Sequence, residues 1–254
     1  MEKGEKMKQI NKSIIFLLVI LFTACANNIS EKELLKNIMV AHGADKMKSA
    51  KIDFDFRGKH YSVTRKNNRF EFTKTYGDSS GNLIFEKLNN AGYHYLKNNI
   101  EINLTEEEKR LRANSLNSVI YFFSVPYVLN DKAVKSKIIG HENVKGIDYF
   151  KLEITFNQKG GGEDFQDRYV YWINKNNYFI DYYAYYYHVN GGGSRFRVKT
   201  NRRNIKGVIF SDDLNYKSEK IHENIEDFAM EYERDKLEKV SEIKYENIEV
   251  NLIP

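Results

Sequence analysis

Two runs of three glycines, Gly160–Gly162 in "QKGGGEDFQDRYVYW" and Gly191–Gly193 in "VNGGGSRFRVK", have the composition of a phosphate cradle. Such a cradle needs a fixed glycine spacing and a helix whose N-terminus follows at once. Here each run is followed by residues that read as a strand, so the two runs predict hairpin tips, where glycine supplies positive φ. Other catalytic cues are absent from the sequence. The six histidines (His42, His60, His94, His141, His188, His222) are scattered, without the spacing that pairs metal ligands. No G-x-S-x-G elbow occurs. The carboxylates Asp53, Asp55, Asp164, Asp167 and Asp181 are too numerous for any pair to be singled out as acid and base. The residues therefore assign no catalytic group, no metal and no cofactor.

One residue does carry chemistry. Cys25 is the only cysteine, and it follows "MEKGEKMKQINKSIIFLLVILFTA", a basic region, a short apolar core and two small residues. That order predicts a secretory signal over residues 1–24, too short to span a bilayer in the mature protein. "LFTAC" resembles the lipobox of bacterial lipoproteins, with Phe22 where leucine is usual. The resemblance implies that Cys25 becomes the lipidated first residue, carrying diacylglycerol and a palmitate-type acyl chain. Several chains anchor stably where one holds only marginally. Removing residues 1–24 takes away four lysines and two glutamates, so the formal charge of +5 becomes +3. A nearly balanced exported surface argues against nucleic acid as a partner.

Aromatic residues crowd the later strands. "YVYWINKNNYFIDYYAYYYH" places rings on both faces, among them Trp172, Tyr183, Tyr185 and Tyr187. In a meander, alternate turns fall at the same end of the sheet, so both glycine tips share one rim. Simple register sets Asp164, Tyr187 and Arg195 side by side there, with Arg197 just inside. These seven residues are the candidate ligand-binding set. Two readings stand: a concave wall that accepts a lipid, acyl chain or apolar peptide, or an aromatic core whose hydroxyls reach solvent or Asp181. A polar catalytic site at the glycine rim is the alternative from another class, and an outer-membrane assembly partner a third.

The elements that must position these residues are legible from periodicity. Residues 25–30 form a short tether, and residues 31–254 read as a single β-rich domain. Ser30 and Glu33 predict a capping box, and Leu34, Leu35, Ile38 and Met39 a helical face that Gly43 ends. From Ala50 the period is two, between turn signals such as "GDSSGN" and "NNAG". Thr105 and Glu108 predict a second capping box, opening a helical middle that Pro126 divides in two. "SVIYFFSVPYVL" is apolar nearly all round and must be buried. The predicted class is mainly β, a curved antiparallel half-barrel or shell wrapped around a few short helices.

"HGADKM", "FDFRGKHYSV", "LNSVIYFFSVPYVLNDKAV" and "NIKGVIFSDDLNY" resemble a family of small Bacteroidota lipoproteins of unknown function. That resemblance implies no activity and no catalytic residue. Tyr171–Lys175 and the stretch Arg197 to Ile205 are distantly similar to late strands of the periplasmic lipoprotein carrier and its outer-membrane receptor. This second likeness implies a β-shell with a cavity for lipid chains. It also implies a hydrophobic ligand or a lipoprotein partner. "CANNIS" has no aspartate after the cysteine, which by resemblance to other lipoproteins implies the periplasmic side of the outer membrane.

Overall fold

A computed structural model describes residues 29–159, 165–188, 191–219 and 224–254. Glu31–Pro254 cluster as one compact unit. Cys25, the signal segment, Asp164 and the first glycine run lie outside the described residues. Among the described residues, no helix is long and apolar enough to cross a membrane.

Helix α1 (Glu31–His42) buries Leu34, Ile38, Met39 and His42 on one stripe. Gly43, at φ +60°, ends it, and a Cβ at that position would overlap the Gly207 carbonyl. A 3-10 turn (Ala44–Ser49) then feeds β1 (Ala50–Phe56). Strands β2 (Lys59–Lys66), β3 (Arg69–Gly77), β4 (Leu83–Asn89), β5 (Gly92–Lys97) and β6 (Ile100–Glu101) continue the meander. The second helix, α2 (Glu106–Phe123), opens with the predicted box: the Glu108 backbone N–H donates to Thr105 Oγ1, and the Thr105 N–H donates to the Glu108 carboxylate.

The helical middle differs from its expectation. One 18-residue helix precedes Pro126, and only a 3-10 turn (Tyr127–Asn130) follows. The apolar run near Pro126 is thus mostly the last turns of α2.

Strands β7 (Val134–Val144), β8 (Ile147–Phe156), β9 (Arg168–Asn174), β10 (Ile180–Tyr187), β11 (Gly193–Ile205) and β12 (Val208–Lys217) form a second meander. A 3-10 turn (Ile225–Asp227) and helix α3 (Phe228–Glu233) interrupt it before β13 (Glu238–Ile243) and β14 (Glu246–Leu252). The strands make two curved seven-stranded antiparallel sheets, in the orders β14-β1-β2-β3-β4-β5-β6 and β13-β12-β11-β10-β9-β8-β7. Neither closes into a barrel. The chain steps from one sheet to the other between β13 and β14. At that corner the Asp212 carboxylate receives both guanidinium nitrogens of Arg203 (2.8 and 2.9 Å) and the Tyr245 backbone N–H (3.1 Å).

Two apolar clusters stand out among the described residues. The inner one joins the first sheet (Ile52, Phe54, Val63) to α2 (Leu116, Ile120, Phe123) and to Phe210 and Tyr245. The outer one sits on the far face of the second sheet, where Trp172, Ala184 and Phe196 are covered by Ile225, Phe228 and Ala229. Both faces of the second sheet are therefore buried, as its aromatic strands require. The cover, Ile225–Glu233, has no counterpart in the elements expected from periodicity, nor does the 3-10 turn Ala44–Ser49.

His42 carries a prediction. Burial pushes its pKa down to about 4; the Arg202 and Lys199 charges push the same way, against Asp181 and the Ile38 carbonyl. That carbonyl can only accept, so Nδ1 carries a proton and donates at 2.9 Å, and the depressed pKa leaves the ring neutral near pH 7. A depressed folded-state pKa means that the unfolded chain binds the extra proton first. Stability from this group is complete above about pH 6.5 and is lost as pH falls toward 4. The loss should approach roughly 3 kcal/mol. Urea titrations at pH 7.5 and 4.5 should show it, and a His42→Gln variant should show a smaller difference; equal differences would exclude His42 as the cause.

Candidate functional site

The inner face of the second sheet is a wall of stacked tyrosines. Register places Tyr171 opposite Tyr183 and Tyr169 opposite Tyr185 on β9 and β10, and each pair stacks with ring centroids 5.5 Å apart. Period-two alternation puts all four on one face. Phe122, from the last turn of α2, closes over this wall, 5.2 Å from Tyr185 and 6.3 Å from Tyr183. Burial holds the Tyr171 and Tyr183 phenols well above their usual pKa, and for Tyr183 the Asp213 carboxylate adds to the effect. Both stay neutral, and the Tyr183 hydroxyl donates to Asp213 (3.3 Å).

Charge is embedded in this wall. Arg197 on β11 is 7 % exposed and donates through Nη2 to the Tyr185 hydroxyl (2.9 Å). Its Nη1 lies 3.6 Å from Asp213, while Lys199 Nζ contacts the same carboxylate at 2.9 Å. The ring of Phe122 lies against the guanidinium at 4.9 Å. On the first sheet, the fully buried Glu86 contacts Lys74 (2.9 Å) and Arg112 (3.8 Å) and accepts from the Tyr76 and Tyr93 hydroxyls. Arg65 is different. Its Nη2 donates to Ser124 Oγ (3.0 Å), its guanidinium lies over the Phe72 and Tyr127 rings, and its Nη1 is buried without a hydrogen-bond partner. Burial brings the Arg65 pKa down to about 10.

The sequence-predicted residues divide as follows. Tyr183, Tyr185 and Arg197 meet on the inner face. Trp172 does not join them: it pairs with Tyr182, faces the outer core and donates from Nε1 to Glu142 (2.6 Å). Arg195 lies opposite Tyr185, and Tyr187 opposite Gly193, so the simple register that matched Tyr187 with Arg195 is displaced by two residues. Arg195 still reaches diagonally over the Tyr187 ring at 5.7 Å. Asp164, the expected acidic member of that rim, is outside the described residues. Asp181, the alternative partner for the tyrosine hydroxyls, accepts among the described residues from the outer-face Tyr149 hydroxyl (2.9 Å), from Asn174 and from Arg202.

Several inner-face groups escaped the sequence reading: Arg65, Glu86, Lys199 and Asp213. A signal existed for Glu86, because Ile84, Glu86 and Leu88 share one strand parity with a core face. Among the described residues no group of His, Cys, Asp and Glu side chains could hold a metal ion. The buried carboxylates Glu86 and Asp213 each face two cations.

A family of unknown function, DUF6503, matches residues 11–245, so the chain belongs to that family. No protein of curated function matches it. Among solved structures, a LolA superfamily protein from Nitrosomonas europaea is similar at 12 % identity and a TM-score of 0.51, covering 89 % of this chain and 96 % of the other. A DUF1329 family protein from Desulfovibrio piger is 15 % identical with a TM-score of 0.41, covering 86 % and 92 %. A domain from Vibrio parahaemolyticus described as a putative outer membrane lipoprotein-sorting protein is 10 % identical with a TM-score of 0.37, covering 72 % and 86 %. The first of these likenesses supports the fold: curved antiparallel sheet with helices against its inner face.

Proposed function

We propose that this member of the DUF6503 family is a membrane-tethered, non-catalytic binding protein that holds a hydrophobic ligand, a lipid, acyl chain or apolar peptide, between its two sheets. The observation that carries the reading is the inner tyrosine wall. Side chains from the end of one helix, Tyr121 and Phe122, lie over it. A wall of that kind offers a large apolar area to a chain that displaces the helix end, with hydroxyls and charges placed to fix orientation. The lipobox-like "LFTAC" supplies the tether at Cys25, and the absence of an acidic residue in "CANNIS" favours the periplasmic side of the outer membrane. Native mass spectrometry of the chain purified from bacterial membranes should show a co-purifying lipid mass or uptake of an added acyl chain. A clean apo mass with no uptake would overturn the reading. Cys25→Ser should move the protein from the membrane to the soluble fraction.

A further inference from the structure

Two buried cations on the inner face of the second sheet, Arg197 and Lys199, share a single carboxylate, Asp213, among the described contacts. All three side chains are less than a tenth exposed, at 9 %, 8 % and 0 %. Arg197 Nε is buried and has no hydrogen-bond partner, and its 3.6 Å approach to Asp213 is too long for a hydrogen bond. Burial opposes the Arg197 charge, yet the Tyr183 and Tyr185 hydroxyls and Asp213 raise its pKa, so it stays charged. Across α2, Arg65 is a second buried guanidinium, with no carboxylate paired to it among the described residues. A buried cation left short of counter-charge is costly unless a ligand supplies it.

We infer that the ligand is an anionic amphiphile, an apolar chain ending in a carboxylate or a phosphate, and that Arg197 with Lys199 receives its head group. This rests on the apolar-shell reading above and narrows it. The guanidinium offers Nε and a planar fork suited to either oxyanion. Lys199 adds a point charge on the same face, two residues along β11. The tyrosine wall beside them takes the chain. Phe122, which lies over the Arg197 guanidinium, is the side chain that the head group must pass.

The test uses four probes with the same twelve-carbon chain: laurate, dodecyl phosphate, dodecanol and dodecyltrimethylammonium. Their affinities for the purified chain are measured by calorimetry at low and high salt. An anionic probe should bind at least about tenfold tighter than dodecanol, the factor that one charge-assisted hydrogen bond supplies. The cationic probe should bind weakest, and added salt should narrow the gap. Laurate ahead of dodecyl phosphate would indicate a carboxylate source, and the reverse order a phosphate source. Arg197→Gln should remove the preference; Lys199→Gln should reduce it, and covers the case in which the arginine variant does not fold. Equal affinity for all four probes would overturn the head-group inference while leaving the apolar shell intact. Absence of binding by every probe would overturn both. Loss of the preference in Arg65→Gln but not in Arg197→Gln or Lys199→Gln would overturn the placement.

Discussion

Phe123→Ala is expected to cost about 4 kcal/mol of folding stability, the middle of the range for removing a buried aromatic ring. Its ring stacks on Phe54 at 3.8 Å and on Phe210 at 5.1 Å, and meets Tyr245 edge-on at 5.1 Å. Those partners come from β1, from β12 and from the corner between β13 and β14. The ring is therefore the point at which α2 holds the two sheets to each other. A cavity there is lined by rigid aromatic side chains on three sides, so collapse into it is limited. Urea unfolding followed by far-ultraviolet circular dichroism gives the number directly. A loss below about 1 kcal/mol, the range of surface substitutions and mild core changes, would show that α2 is not the tie.

Glu86→Ala is expected to be similarly severe, about 4 kcal/mol, for a different reason. Removing the carboxylate leaves Lys74, whose side chain is 8 % exposed, without its 2.9 Å partner, and leaves the Tyr76 and Tyr93 hydroxyls without an acceptor. The cost lies in the stranded cation more than in the lost bonds. Glu86→Leu combined with Lys74→Met should therefore recover most of the loss, because the double variant buries no unpaired charge. Additive losses in the double variant would sink this account. The same carboxylate lies 3.8 Å from Arg112 on α2, so the single variant should also loosen the helix from β3, β4 and β5.

The elements were readable because their physics is local. Thr105 and Glu108 announce α2 by reciprocal capping, and alternation between turn signals announces the strands. Ile225, Phe228, Ala229 and Tyr232 also have helical spacing, but a six-residue helix yields too few turns to stand out from its surroundings. Faces and pairings depend on register, which is not local. The displacement at Tyr185 and Arg195 is an even number of residues, so Arg197 kept its predicted face although its neighbour changed. Trp172 shows the opposite case: adjacent to Tyr171 in the chain, it must face the other way, and only the position of the sheet between two cores gives that fact meaning. Arg65 is the last but one residue of β2 and opens the turn stretch "RKNNR", where a charged residue ordinarily meets water. Its burial comes from Ser124 and Tyr127, about sixty residues further on.

The pairing of β14 with β1 has a consequence for how the chain is made. Ser49 and Ile253 exchange hydrogen bonds through the Ser49 hydroxyl and carbonyl, across a separation of 204 residues. Synthesis begins at the N-terminus, so β1 is made long before its outer neighbour exists. Until β14 arrives, the first sheet ends in an open strand whose amides and carbonyls have no partner, and the corner held by Asp212 lacks Tyr245. Such contacts are slow to form, since a long loop must close before they reward it. The last nine residues are thus the latch of the structure: truncation before Glu246 should leave a chain with nearly all its strands and an adhesive edge, prone to pair with other copies of itself.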